Sequence, residues 1–112
     1  AAGSITDALN RVHDYLTYKN MDLRIEVEVR DFDELEETMS HGGLDRIMLD
    51  NFTVESTKRA VELINGKFEV ESSGGITIDT IKSYAESGVD FISVGALTHS
   101  VKSLDLSLKI IK

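Results

Sequence analysis

The sequence predicts an α/β fold with parallel strands, arranged as a partial open (β/α) barrel. Three observations carry that prediction. Four short apolar runs recur at near-constant spacing: RIEVEV (24–29), RIMLD (46–50), KFEVE (67–71) and DFISV (90–94), whose starts lie 22, 21 and 23 residues apart. Helical patterns fill each interval, and a strand, a helix and the next strand at this spacing fit parallel βαβ units. Finally, Glu28, Asp50 and Glu71 stand at or next to the C-terminal ends of successive runs. A sheet buried on both faces does not place carboxylates there, whereas in a barrel those ends converge on the mouth that holds the active site. This last point favours the barrel over the open doubly wound sheet, which shares the element order.

The elements follow in chain order. SITDALNRVHDYL reads as a helix with Ile5, Ala8, Leu9, Val12 and Leu16 on its buried side. In RIEVEV, Glu26 and Glu28 share one face while Ile25, Val27 and Val29 share the other, so the polar face points into the barrel. DFDELEETMSHGG opens with a D-x-x-E capping box (Asp31, Glu34), carries Phe32, Leu35 and Met39, and stops at Gly42 and Gly43. VESTKRAVELI places Val54, Thr57, Ala60, Val61 and Ile64 on one face, with Thr53 as N-cap and Gly66 just past the end. IDTIKSYAESG groups Ile78, Ile81, Tyr84 and Ala85, with Thr77 as its cap and Gly88 as its stop. The tail LDLSLKI (104–110) alternates like a further strand.

Composition narrows the function classes. At 112 residues the chain is one domain's worth, and 41% hydrophobic with 29% charged residues is ordinary for a globular protein. A net charge of −8 argues against a nucleic-acid surface, which needs clustered Lys and Arg. No run approaches the length of a membrane span, and no basic segment followed by an apolar one marks a secretory signal. The absence of Cys excludes disulfides and thiolate chemistry, and a cytoplasmic location is expected.

Two glycine-bearing segments stand at strand ends. ESSGGIT (71–77) lies between a strand and a helix, and VGALTHS (94–100) follows the next strand. A loop that wraps a phosphate needs inward backbone N–H groups and no Cβ in the way, and a helix N-terminus adds a favourable dipole. A glycine after a strand is commonly just a turn. Two such motifs in consecutive loops, with hydroxyls beside them, point instead to a phosphate site of the kind barrels build from their last loops. Glu28 and Asp50 leave two roles open: solvated rim residues, or a pair that holds Mg²⁺ or accepts bonds from sugar hydroxyls. Glu71 could equally support the SSGG turn. Of the histidines, His13 reads as a surface residue, His41 as a helix-end residue suited to the dipole, and His99 as the one near the phosphate loops.

These residues resemble a known family. EVEV, IMLDNF, ESSGGIT, YAESGVDFISVGALTHSVKSLDLSLKI and the opening AAGSITDAL are similar, in register from Ala1 to Lys112, to the C-terminal part of the quinolinate phosphoribosyltransferases. The resemblance implies a fragment of the type II phosphoribosyltransferase barrel, residues 1–112 forming the C-terminal portion of a catalytic domain whose first strands and preceding N-terminal domain lie upstream. It implies a pentosyltransferase reaction of quinolinate with phosphoribosyl pyrophosphate (PRPP) and Mg²⁺, giving nicotinate mononucleotide, carbon dioxide and pyrophosphate in de novo NAD biosynthesis. By position, Glu28 and Asp50 match the pair that engages the PRPP ribose and its metal. Ser73, Gly74 and Gly75 match a first phosphate loop; Val94, Gly95 and Ala96 match a second, and His99 matches a site-lining histidine. A homo-oligomer is also implied.

The family's Lys-x-Asn-His motif and its quinolinate-clamping cations belong upstream of this segment, and Lys102 is the nearest local cation to the glycine loops, on an expected helix face. The chain alone is therefore expected to be inactive. Two alternatives share the motifs: the molybdenum-associated paralogue of the same fold, and a non-catalytic phosphate-binding half-barrel.

Overall fold

The computed structural model describes residues 4–95 and 97–103. In chain order the elements are α1 (Ser4–Lys19), β1 (Glu26–Val29), α2 (Phe32–His41), β2 (Arg46–Asp50), α3 (Val54–Ile64), β3 (Glu69–Ser73), α4 (Ile81–Ala85), β4 (Phe91–Val94) and β5 (Leu97–Ser100), closed by a 3₁₀ turn at Val101–Ser103. The strands form one open sheet in the order β1-β2-β3-β4-β5. The first four are parallel, as the spacing predicts, and β5 returns antiparallel to β4. Ala96 and the expected tail strand at 104–110 lie outside the described residues.

Strand alternation sorts the sheet into two faces. Val29, Ile47, Leu49, Val70 and Ile92 point to one side and join Leu9, Leu35, Ala60, Ile64 and Ala85 from the four helices in a single core. Val29, Ile47, Ile64 and Ala60 are fully buried there, and a truncation such as Leu49→Ala in this layer costs about 2–5 kcal/mol. The other face carries Glu26, Glu28, Arg46, Met48, Asp50, Glu69, Glu71 and Ser73. This is the inner face of the expected half-barrel.

Local signals set most helix ends. Asp31 caps α2 by accepting from the Glu34 N–H at 2.8 Å, while the Glu34 carboxylate accepts from the Arg30 N–H at 2.7 Å, one residue earlier than an ideal capping box places it. Thr53 caps α3 by accepting from the Ser56 N–H, and Asn65, left-handed at φ 50°, ends that helix one residue before Gly66. The helix expected from Thr77 begins instead at Ile81. Thr80 Oγ1 accepts from the Thr77 N–H, and Thr77 O receives both the Thr80 and the Ile81 N–H. These bonds close residues 77–80 as a turn ahead of the helix. No helix among the described residues is long and apolar enough to cross a membrane.

Candidate functional site

The β2 and β3 strand ends come together as one packed corner. Asp50 lies opposite Ser73 in the ladder, and the Asn51 N–H donates to Ser73 O at 2.8 Å. Asn51 turns the chain out of β2 in the left-handed region, at φ 62°. Gly74 follows at φ 85°, so close that a Cβ on it would sit 2.9 Å from Asp50 Oδ1 and 3.0 Å from the Asn51 backbone nitrogen. A Cβ on Gly75 would meet Asn51 Oδ1 at 3.2 Å. The two glycines of SSGG are thus required both by conformation and by close approach. The two serines part company. Ser73 faces the mouth beside Asp50, whereas Ser72 turns into the core, 1% exposed, with no hydrogen-bond partner for its Oγ among the described residues.

The remaining expected residues distribute unevenly. Glu28 shares the inner face but stands opposite Met48, two residues short of Asp50 on the neighbouring strand, and pairs with Arg30 at 3.7 Å. Val94 and Gly95 do not begin a strand-to-helix loop. With Val94 paired antiparallel to Leu97, the chain reverses directly after β4, and Gly95 takes the positive φ (64°) that a tight reversal favours. His99 pairs with Ile92 and so shares the core-side face of β5, not the face of Asp50 and Ser73. Lys102 stands exposed in the 3₁₀ turn and not on an α-helix face.

Glu71 is not at a strand end. It occupies the middle of β3, 2% exposed, and its carboxylate serves the sheet interior and not the SSGG turn. Arg46 Nη1 donates to it at 3.1 Å, and the Ser93 hydroxyl donates to its other oxygen. Arg46 also bonds Glu69 at 3.4 Å, lies 3.9 Å from Glu26, and stacks its guanidinium 3.6 Å from the Phe91 ring centroid. Partial burial, then the hydrogen bond to Glu71 and its charge, push the Glu26 carboxyl up to about 7. Burial also opposes the Glu71 charge, but bonds from Glu26, Ser93 and Arg46 outweigh it and hold that carboxyl below the usual range. One proton shared between Glu26 and Glu71 satisfies both directions. Arg46 was missed from sequence. The available signal was an arginine opening a strand on the same face as glutamates in both neighbours.

His13 is half-buried and not a surface residue: it stacks on His41 with ring centroids 6.0 Å apart, and a Cβ on Gly43 would meet its Nε2 at 2.8 Å. His41 stays at its helix end, with Nε2 2.8 Å from Asn10 Oδ1 on α1. His41 precedes β2, at the opposite end of that strand from Asp50, and His13 stacks on it there. Among the described residues no group of three His, Asp or Glu side chains could hold a metal ion. Glu28 and Asp50 supply hard oxygen donors of the number Mg²⁺ usually takes from protein, water and substrate phosphates filling the rest. The donor set therefore fits Mg²⁺ delivered with a phosphate ligand and not a closed protein cage.

Comparison with known proteins gives the family and the fold. The family model for the quinolinate phosphoribosyl transferase C-terminal domain matches residues 1–109. The chain is 48% identical to the chloroplastic nicotinate-nucleotide pyrophosphorylase [carboxylating] of Arabidopsis thaliana, over 98% of this chain and 36% of that one. It is 42% identical to a probable nicotinate-nucleotide pyrophosphorylase [carboxylating] of Methanocaldococcus jannaschii, over 96% and 39%. Among solved structures, the nicotinate-nucleotide pyrophosphorylase of Francisella tularensis superposes with a TM-score of 0.74 at 38% identity, covering 86% of this chain and 32% of that one. That of Ehrlichia chaffeensis gives 0.73 at 36%, over 82% and 32%. The chain spans about a third of the length of these relatives.

Proposed function

The chain belongs to the quinolinate phosphoribosyltransferase C-terminal domain family, and on that footing we propose that it supplies the PRPP-binding side of an enzyme that forms nicotinate mononucleotide, carbon dioxide and pyrophosphate from quinolinate and PRPP in de novo NAD biosynthesis. The observation that carries the reading is the corner where Gly74 packs against Asp50 and Asn51, with no room for a Cβ. Bare backbone at a strand end, beside a carboxylate, suits a sugar phosphate: N–H groups for the phosphate and an acceptor for ribose hydroxyls. The names of the relatives support this reading over the molybdenum-associated alternative.

In the proposed reaction the quinolinate ring nitrogen attacks the anomeric carbon as pyrophosphate leaves, through an oxocarbenium-like transition state. Asp50 and Glu28 accept from the ribose hydroxyls, fix the ring, and oppose the positive charge that develops on it. Ser73, Gly74 and Gly75 hold the phosphate, with the Val94–Gly95 turn as a second contact. His99 could join them only if the core-side face of β5 turned toward the ligand. Mg²⁺, when bound, would neutralise the departing pyrophosphate. Catalysis then rests on positioning and electrostatics.

Five carboxylates on the inner face (Glu26, Glu28, Asp50, Glu69, Glu71) stand against the single cation Arg46 among the described strands. The cations that clamp quinolinate are therefore assigned to other parts of the enzyme. The resemblance to the family is our ground for proposing that the complete enzyme is a homo-oligomer. We also place it in the cytoplasm, although the Arabidopsis relative is named chloroplastic; fractionation of the source cells tests this.

The test of the catalytic reading is Asp50→Asn in the complete enzyme. Loss of about 10²–10³ in kcat/KM for PRPP is expected for an electrostatic contact of this kind. Unchanged turnover and unchanged PRPP affinity would remove Asp50 from the mechanism.

A further inference from the structure

The β4–β5 hairpin is held to the rest of the sheet in an unusual way. Five registered pairs join β2 to β3, but β3 and β4 share only Glu71↔Phe91 and Ser72↔Ile92. Beyond Ile92, where the chain runs up to the Val94–Gly95 turn, the connection passes through side chains. The Ser93 hydroxyl donates to Glu71, and Thr98 on β5 lies 2.9 Å from Ser93 Oγ and 3.5 Å from Glu71 Oε2. With the Ser93 proton committed to Glu71, Thr98 donates to Ser93. The other Glu71 oxygen takes the Arg46 guanidinium from β2, and Arg46 is itself seated on the Phe91 ring of β4. A carboxylate only 2% exposed thereby collects donors from β2 and β4 directly, and reaches β5 at one remove, through Ser93 to Thr98. Burying a charge is costly unless every lone pair finds a partner, so the arrangement is stiff: moving the hairpin by a residue would strand the charge.

We propose that Glu71 is a positioning residue for the Val94–Gly95 turn, acting through Ser93 and Thr98 and anchored by Arg46, so that the turn is held at a fixed height relative to the Gly74–Gly75 loop. The role of the turn in holding a phosphate rests on the function proposed above; the positioning itself does not. Glu71 touches no ligand in this scheme. It links two loops that sequence shows only as separate motifs.

Amide hydrogen exchange on the 112-residue chain tests the positioning, and PRPP titration of the same chain with Mg²⁺ tests its consequence. Ser93→Ala is expected to speed exchange at Val94, Gly95 and Thr98 on the order of tenfold while residues 46–50 and 69–73 stay protected, and to weaken PRPP about fivefold. Ser93→Thr, which keeps the hydroxyl, restores both. Thr98→Val gives a smaller change of the same pattern and serves should Ser93→Ala unfold. Exchange at 94–98 unchanged in both variants overturns the proposal. Exchange that rises equally throughout the sheet also overturns it, because the bond is then merely structural. If Gly74→Ala leaves PRPP affinity untouched, the phosphate reading fails. If Gly74→Ala weakens PRPP and Ser93→Ala changes neither exchange nor affinity, the positioning inference fails alone.

Discussion

Gly74→Ala puts the packed corner to a quantitative test. An L-residue at φ 85° loses about 1–2 kcal/mol to contact between its Cβ and its own backbone. At this site the new Cβ also meets Asp50 Oδ1 at 2.9 Å and the Asn51 nitrogen at 3.0 Å. The carboxylate can swing aside, but the Asn51 nitrogen is held by its 2.8 Å bond to Ser73 O. Relieving that overlap adds about 1–2 kcal/mol, as overpacking does in a rigid site. The total is about 2–4 kcal/mol. Gly66→Ala is the matched reference, since Gly66 has φ 76° and open space where its Cβ would go. The unfolded-state gain from replacing glycine cancels between the two. Urea unfolding of both variants, with equal m-values, should place Gly74→Ala at least about 1 kcal/mol below Gly66→Ala. Equal midpoints would mean that the two strand ends do not pack as described.

Other expectations follow from single contacts. Ser72→Ala removes a buried hydroxyl with no partner among the described residues, so it should raise stability by about 0.5–1.5 kcal/mol; a lower urea midpoint would show that the hydroxyl is bonded. Glu26 binds its proton more tightly folded, at about 7 against an ordinary 4.5, so its contribution is full below 4.5 and is lost as pH rises through about 7. Glu71, held low, acts in the opposite sense and only in acid. Because the Glu26 side chain is 37% exposed, solvent screening reduces the effect to about 1–2 kcal/mol between about pH 5 and pH 8. Stability measured across that window should fall with pH in the parent and stay flat in Glu26→Gln; parallel curves would contradict the shared proton. Thr53→Ala loses the α3 cap and should cost about 1 kcal/mol by the same unfolding assay.

The repeat of apolar runs, the parallel sheet and the inward-facing glutamates were legible because each follows from local periodicity. Thr53 and Asp31 were legible as caps because a cap is a contact three residues long. What sequence did not disclose are relations between strands. Glu71 looked like a mouth residue because its run was read as ending at 71, whereas the ladder carries β3 on to Ser73. Arg46 acquires its meaning only beside Glu69, Glu71 and Phe91, which are distant in the chain. The segment VGALTHS has the composition of a loop, yet Gly95 with its positive φ folds it back as a strand and turns His99 to the core side. Nor does the side-chain chemistry of Asn51 disclose its part, because it is the left-handed conformation of Asn51 that brings Asp50 against Gly74.

The central claim is that the corner built from Asp50, Asn51, Ser73, Gly74 and Gly75 binds the phosphate of PRPP. The most direct measurement follows the backbone amide resonances of this chain while PRPP and Mg²⁺ are added. Saturable shifts are expected to concentrate at Asn51, Gly74 and Gly75, with Gly95 following, and to leave Arg46 and Glu69 below them little changed. Shifts absent from the glycine amides, or centred on the Arg46 end of the strands, would contradict it.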